Sequence, residues 1–395
     1  MTELVTTLTV IFFTASVLLL LVNRRHSFIP AYIVAGLLIG RFIPASDILG
    51  LAELGIAFLV FLFGIRVEPG RIRSVAEESF ATTLVQVTVV GTAAFLAARG
   101  LSLAPVESFY VALAASLSSS IVGLQLIEDE VEIQLLHGRL AESINLVQDL
   151  VAVAFILAVP LGSFNSIFSG IGLIAAALVF RSLIFPVLMR NSGGTETTLL
   201  TGLAALTVFA GVSQLLGISI VVGSFAAGLA CARFPFNLEM LETLNPLKDF
   251  FSTIFFVTLG ALVTFPSPET VVLTAIIFVA TVALKPAITI LMLLVNGYDR
   301  RTSYLTALTL DQVSEFALMI VITGFTAGIV SPGVFNAVIL AAAATMVTSS
   351  YTTRHEESIY SFFSHLSRVE SSPRQIEQRT KVPEVLSDHV ILVGY

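Results

Sequence analysis

The chain has 395 residues, of which 56% are hydrophobic and 12% charged. A soluble protein carries about twice that charged fraction, so lipid must be the solvent for much of this chain. A net charge of -7 with no basic run argues against a nucleic-acid partner, and the single cysteine, Cys231, excludes intrachain disulfides and thiolate metal clusters.

Apolar stretches of spanning length recur along the chain. Thirteen are placed, at about 4–22, 28–43, 48–66, 79–98, 106–127, 139–161, 166–190, 196–216, 217–233, 248–265, 269–295, 302–329 and 333–351. The second and ninth are short and carry Gly36 and Gly40, and Gly223 and Gly228. The first begins Met-Thr-Glu and is followed by Arg24 and Arg25. That order predicts an uncleaved helix with its N-terminus outside. The loops that are then cytoplasmic hold Arg66, Arg71, Arg73, Arg139, Arg190, Arg233, Lys248, Arg300 and Arg301, whereas the outer loops hold Arg41 and Arg99. The asymmetry predicts a multi-pass protein of the plasma membrane with a cytoplasmic C-terminus.

Spans 1–6 and 8–13 pair as inverted repeats, about 1–161 and 196–351, with span 7 as connector. Inverted repeats mark transporters, because exchanging the conformations of the two halves gives alternating access. The expected fold is an all-α membrane protein of about thirteen transmembrane helices, occupying 1–351. Beyond it, Ile359, Phe362, Phe363 and Leu366 form one apolar helical face, which predicts a helix on the cytoplasmic membrane surface and a linker over 352–387. Residues 388–395, Asp388-His389-Val390-Ile391-Leu392-Val393-Gly394-Tyr395, read as the first strand of a dinucleotide-binding fold cut inside its glycine turn. No cofactor is expected in this chain, and nucleotide only in a missing C-terminal domain.

Ionisable residues inside the bilayer cost about 2.5–3.5 kcal/mol each on insertion scales and need a reason. Asp149 follows Gln148 and lies ten residues past Arg139, about 15 Å deep and so near the midplane. Asn145 and Glu142 precede it on the same helical face, a stripe of oxygens leading from the cytoplasm. Lys285, before Pro286, is equally deep in span 11; it either takes part in transport or neutralises the end of a half-helix. Spans 5 and 12 are apolar at both ends and polar in the middle, at Ser118-Ser119-Ser120 and at Asp311-Gln312-Val313-Ser314-Glu315. That pattern predicts two helices broken at the midplane, whose carbonyls and hydroxyls can replace the water shell of a cation. Close packing through small residues is the plainer reading of the serines. Glu315 can compensate the partial charge of a broken end.

Several blocks together resemble the cation/proton antiporter-2 family, and within it the glutathione-gated potassium-efflux (Kef) branch. Gly138-Arg139 followed by Gln148-Asp149 is similar to the branch's Gln-Asp motif. Gly217-Ile218-Ser219, Gly223-Ser224-Phe225-Ala226-Ala227-Gly228 and Phe255-Phe256-Val257-Thr258-Leu259-Gly260 resemble its ninth and tenth helices. Gln312-Val313-Ser314-Glu315-Phe316 resembles its Gly-Ser-Glu-Phe block, with Val313 in place of glycine. The resemblance implies a sodium/proton-antiporter-like fold with two crossing broken helices, a homodimer through the first and eighth helices, and a moving core. Gln148 stands where two-proton sodium exchangers carry a second aspartate, which favours potassium. Arg66-Val67-Glu68 departs from the branch's Gly-Leu-Glu, so glutathione gating does not carry over.

The expected function is electroneutral exchange of K+ for H+. A proton or a monovalent cation binds at Asp149; Gln148, Ser118, Ser119 and Ser120 act as neutral ligands; Lys285, Glu315, Asp311, Asn145 and Glu142 support them. The alternatives are a Na+/H+ antiporter of the same family and a ligand-gated K+ efflux channel. No nucleophile–base or metal constellation points to an enzyme.

Overall fold

The computed structural model describes residues 2–21, 28–42, 45–67, 77–119, 135–158, 164–190, 194–356 and 358–361. Ser120, most of the expected surface helix and the strand expected at 388–395 lie outside them. All regular structure among the described residues is helical.

In chain order the helices are α1 (Thr2–Leu21), α2 (Ile29–Ile39), α3 (Ala45–Arg66), α4 (Glu77–Gly100), α5 (Pro105–Ser116) and α6 (Leu136–Ala158). Next come α7 (Phe164–Val179), which runs through a π turn into α8 (Phe185–Arg190), then α9 (Thr195–Leu215), α10 (Ile220–Cys231) and α11 (Phe236–Leu262). The last are α12 (Pro268–Val279), continued by a π turn into α13 (Lys285–Val295), α14 (Arg300–Leu308), α15 (Glu315–Thr326) and α16 (Pro332–Arg354). Local signals set many of the starts. Proline occupies the first turn of α2, α5, α12 and α16, where its missing N–H has no intrahelical partner to lose. The side chains of Ser219, Ser267, Asp299 and Ser314 cap α10, α12, α14 and α15.

Among the described residues, six helical segments are long and apolar enough to cross a membrane, and α2, α10, α15 and part of α1 are shorter apolar helices. The tenth expected span begins too late: α11 starts at Phe236 and runs 27 residues through Pro246. Its first turns carry Glu239 and Glu242, so hydropathy alone does not see them as part of the helix.

The helices pack as two groups. In one, α2, α3, α10 and α11 pack closely, flanked by α1 and α9. In the other, α4, α5 and α6 pack with α12, α13, α14, α15 and α16. Contacts within the first group are reciprocal: α3 lies on α10 as α11 lies on α2, and α1 on α2 as α9 on α10.

Glycine makes the closest of these crossings. A Cβ on Gly64 of α3 would lie 2.7 Å from the Phe225 carbonyl oxygen and 2.8 Å from Gly228 Cα of α10. A Cβ on Gly36 of α2 would lie 2.6 Å from the Ala261 nitrogen of α11. Backbone meets backbone at both places, and no rotamer change relieves the overlap. Gly228→Ala should therefore cost about 1–3 kcal/mol as overpacking and lower the melting temperature in detergent. Gly50→Ala on α3, where a Cβ has nothing within 4 Å, is the control and should not. Equal melting of the two variants would refute this account of the crossing.

Candidate ion-binding site at two broken helices

The break expected between α14 and α15 is present, and α5 ends where the first break is expected; the residues that would continue that span, from 120 on, lie outside the described residues. After α5 the chain runs extended through Leu117, with ψ 146°. Between α14 and α15, residues 309–314 leave the helix. Each break exposes backbone groups that the helix no longer pairs, and these need partners when buried.

The three successive carbonyls at the end of α5 are met by side chains from three directions. Thr281 Oγ1 donates to Ala115 O at 3.3 Å, Gln86 Nε2 to Ser116 O at 2.9 Å and Lys285 Nζ to Leu117 O at 3.0 Å. The second break is tied to the first. Ser118 Oγ donates to Leu310 O at 2.8 Å, and Gln312 Nε2 donates to Ser119 O at 3.1 Å. Lys285 also donates to Gln312 O at 2.8 Å. One ammonium, fully buried, thus bridges carbonyls of both interrupted helices. A cation is well placed at a helix C-terminal end. Glu315, 1% exposed, occupies the first position of α15, where an acid suits the positive end of the dipole.

Asp149 is 6% exposed on α6, and its neighbour Gln148 is 1% exposed. Gln148 Oε1 accepts the Ser118 amide N–H at 2.6 Å, and its Nε2 donates to Gln86 Oε1 at 2.8 Å. That amide pins the first break to α6 and to α4. Asn145, one turn before Asp149, is 4% exposed, and its Oδ1 accepts no hydrogen bond from the described residues. Glu142 is exposed at the near end of the stripe. Asp311, 1% exposed, accepts from Thr352 Oγ1 at 3.1 Å, and Ser349 Oγ donates to Gln312 Oε1 at 3.0 Å. Of the expected site residues, Ser118, Ser119, Gln148, Lys285 and Gln312's neighbours Asp311 and Glu315 gather around the breaks. Ser120 is outside the described residues.

Sequence reasoning did not single out Gln86, Thr281, Ser349 or Thr352, and it named Gln312 only as part of the polar block in span 12. A neutral side chain in an apolar span is far cheaper than a charged one, so it stands out less. The available signal was an amide between valines, Val85-Gln86-Val87, in the middle of a span.

Residues 6–354 match the family model described as sodium/hydrogen exchanger, transmembrane. A protein of Alkalimonas amylolytica named as the K+ efflux antiporter KefB is 26% identical over 409 residues, covering 96% of this chain and 60% of that protein. K+ efflux antiporter 4 of Arabidopsis thaliana is 27% identical over 74% of this chain and 53% of its own length. This chain therefore spans little more than half the length of these relatives. Among solved structures, the sodium proton antiporter MjNhaP1 of Methanocaldococcus jannaschii at pH 8 superposes with a TM-score of 0.61 and 14% identity. The superposition covers 90% of this chain and 96% of that one, a likeness of fold.

Proposed function

The chain belongs to the sodium/hydrogen exchanger transmembrane family, and on that premise we propose that it exchanges K+ for H+ across the plasma membrane, with Asp149 carrying either ion. The observation that carries the reading is a buried aspartate next in sequence to Gln148, the residue that holds the end of α5, which is itself braced against the break before α15. Unwound backbone at membrane depth belongs where it lines a site. In this reading Asn145 Oδ1 and the Ser118 and Ser119 oxygens add neutral ligands to Asp149, and Gln148 positions the first break through its two hydrogen bonds. Asp311 and Glu315 steady Lys285 and the α15 end, and Glu142 draws cations toward the stripe. The K+ efflux relatives and Gln148 in place of a second carboxylate support potassium over sodium. We place the N-terminus outside and the C-terminus in the cytoplasm, and a homodimer contact at α1 and α9. We assign 1–351 to transport, as inverted repeats about 1–161 and 196–351.

Proton-coupled uptake into liposomes, compared for K+, Na+ and Li+ at several pH values, tests the reading. Sodium preferred over potassium would reject the ion assignment, and no proton coupling would reject exchange.

One carboxylate with a neutral amide beside it can carry one positive charge in each direction, provided that Lys285 keeps one protonation state. Exchange should then be electroneutral. With symmetric cation and pH, an imposed voltage should drive no net proton flux. A voltage-driven proton flux that disappears in Asp149→Asn would reject the one-for-one count and point to Lys285 or Glu315 as a second proton carrier.

A further inference from the structure

Away from the crossing, a cavity of about 40 Å³ lies between α3, the start of α10 and α15. That is room for about three waters, at 10–15 Å³ for each water-sized probe. Its polar lining is Glu53, Ser219, Thr323 and Thr326. Glu53 is exposed and sits five residues inside the apolar segment Ile48–Arg66, about 8 Å along the helix. A carboxylate at that depth is costly unless it faces water, and the cavity supplies that face. Thr323 lies eight residues beyond Glu315 on the same helix, so the cavity stands about 12 Å from the crossing.

The lining is arranged to accept a cation. Thr323 Oγ1 donates its proton to Met319 O at 2.7 Å, and Thr326 Oγ1 donates to Thr323 O at 3.1 Å. Both hydroxyl oxygens therefore turn lone pairs, not protons, away from the helix. Ser219 Oγ accepts the Val221 N–H at 3.2 Å and keeps a further lone pair. One carboxylate with three hydroxyl oxygens balances a single positive charge. A divalent ion such as Ca²⁺ takes six to eight oxygens, among them carboxylates.

We propose that this cavity is a second cation site, a vestibule that holds a partly hydrated monovalent cation on the side of the membrane where α3 and α10 begin. The site concentrates the ion before it loses its remaining water at Asp149. This extends the exchange reading above and rests on it for the ion's destination. The cavity is bounded by α3 and α10 from one helix group and by α15 from the other, so a relative movement of the groups would open or close it.

The test uses the full chain in liposomes, with K+ and Rb+ as probes. Glu53→Gln should raise the apparent KM for cation from the cavity side about tenfold, the low end of what charge-lined clefts contribute. That rise should exceed any fall in maximal rate, and Glu53→Asp should recover most of it. Separately, Thr326→Cys in a Cys231→Ala background should react with a membrane-impermeant cationic thiol reagent. K+ should slow that reaction, and Glu53→Gln should remove the protection. An unchanged KM in Glu53→Gln, a lost maximal rate at unchanged KM, or labelling indifferent to K+ would each overturn the proposal. A wild-type chain that exchanges nothing would instead sink the transport reading, and the labelling experiment would still report whether the cavity holds a cation.

Discussion

Asp149→Asn is expected to abolish cation-coupled proton flux and leave a folded protein. The amide has the shape and hydrogen-bonding capacity of the acid but neither a charge nor a proton to exchange. Asp149 is buried beside Gln148, whose bonds to Ser118 and Gln86 hold the break independently of the aspartate. The flux should fall to the level of empty liposomes, with a detergent melting curve that still shows a cooperative folded state. Proton-coupled flux near the wild-type rate in the folded variant would remove Asp149 from the centre of the mechanism.

Lys285→Met should do more damage to the fold. The thioether fills a similar volume but donates nothing, so Leu117 O and Gln312 O both lose their charged partner. Each buried carbonyl left without a donor costs about 1–3 kcal/mol. The gain from no longer burying an ammonium opposes this. The two losses should prevail, because the surrounding donors Thr281, Gln86 and Ser118 already serve neighbouring carbonyls. A melting temperature several degrees lower is expected, with at least a tenfold loss of exchange as the breaks separate. Reduced stability with normal exchange per folded molecule would make Lys285 a tie between half-helices and nothing more. An unchanged melting curve would contradict its bridging role altogether.

The positions of the breaks were legible in the sequence because polarity interrupts two otherwise apolar spans, at Ser118-Ser119 and at Asp311–Glu315. Asp149 and Lys285 were legible for the same reason, since a charge in hydrocarbon is conspicuous. The bracing between them was not. Gln312 reaches Ser119 across a separation of 193 residues, and Lys285 reaches Leu117 across 168. No periodicity reports such a pairing. Gln86 escaped for a second reason: its amide joins Gln148 to Ser116, a role visible only once α4, α5 and α6 are side by side. The early start of α11 was hidden by its acidic first turns, which hydropathy treats as loop.

The glycine crossings have a mechanical consequence. Where Gly64 meets Gly228, and Gly36 meets the backbone near Ala261, two helices touch without side chains between them. Sliding one past the other would drive the next residue's Cβ into the facing chain, so these contacts resist shear. They act as rivets, and α2, α3, α10 and α11 should travel, or stay put, as one stiff plate. Any stroke that carries an ion past the midplane must take place where side chains alone separate the helices, along the seams where α16 meets α2 and α6 meets α10.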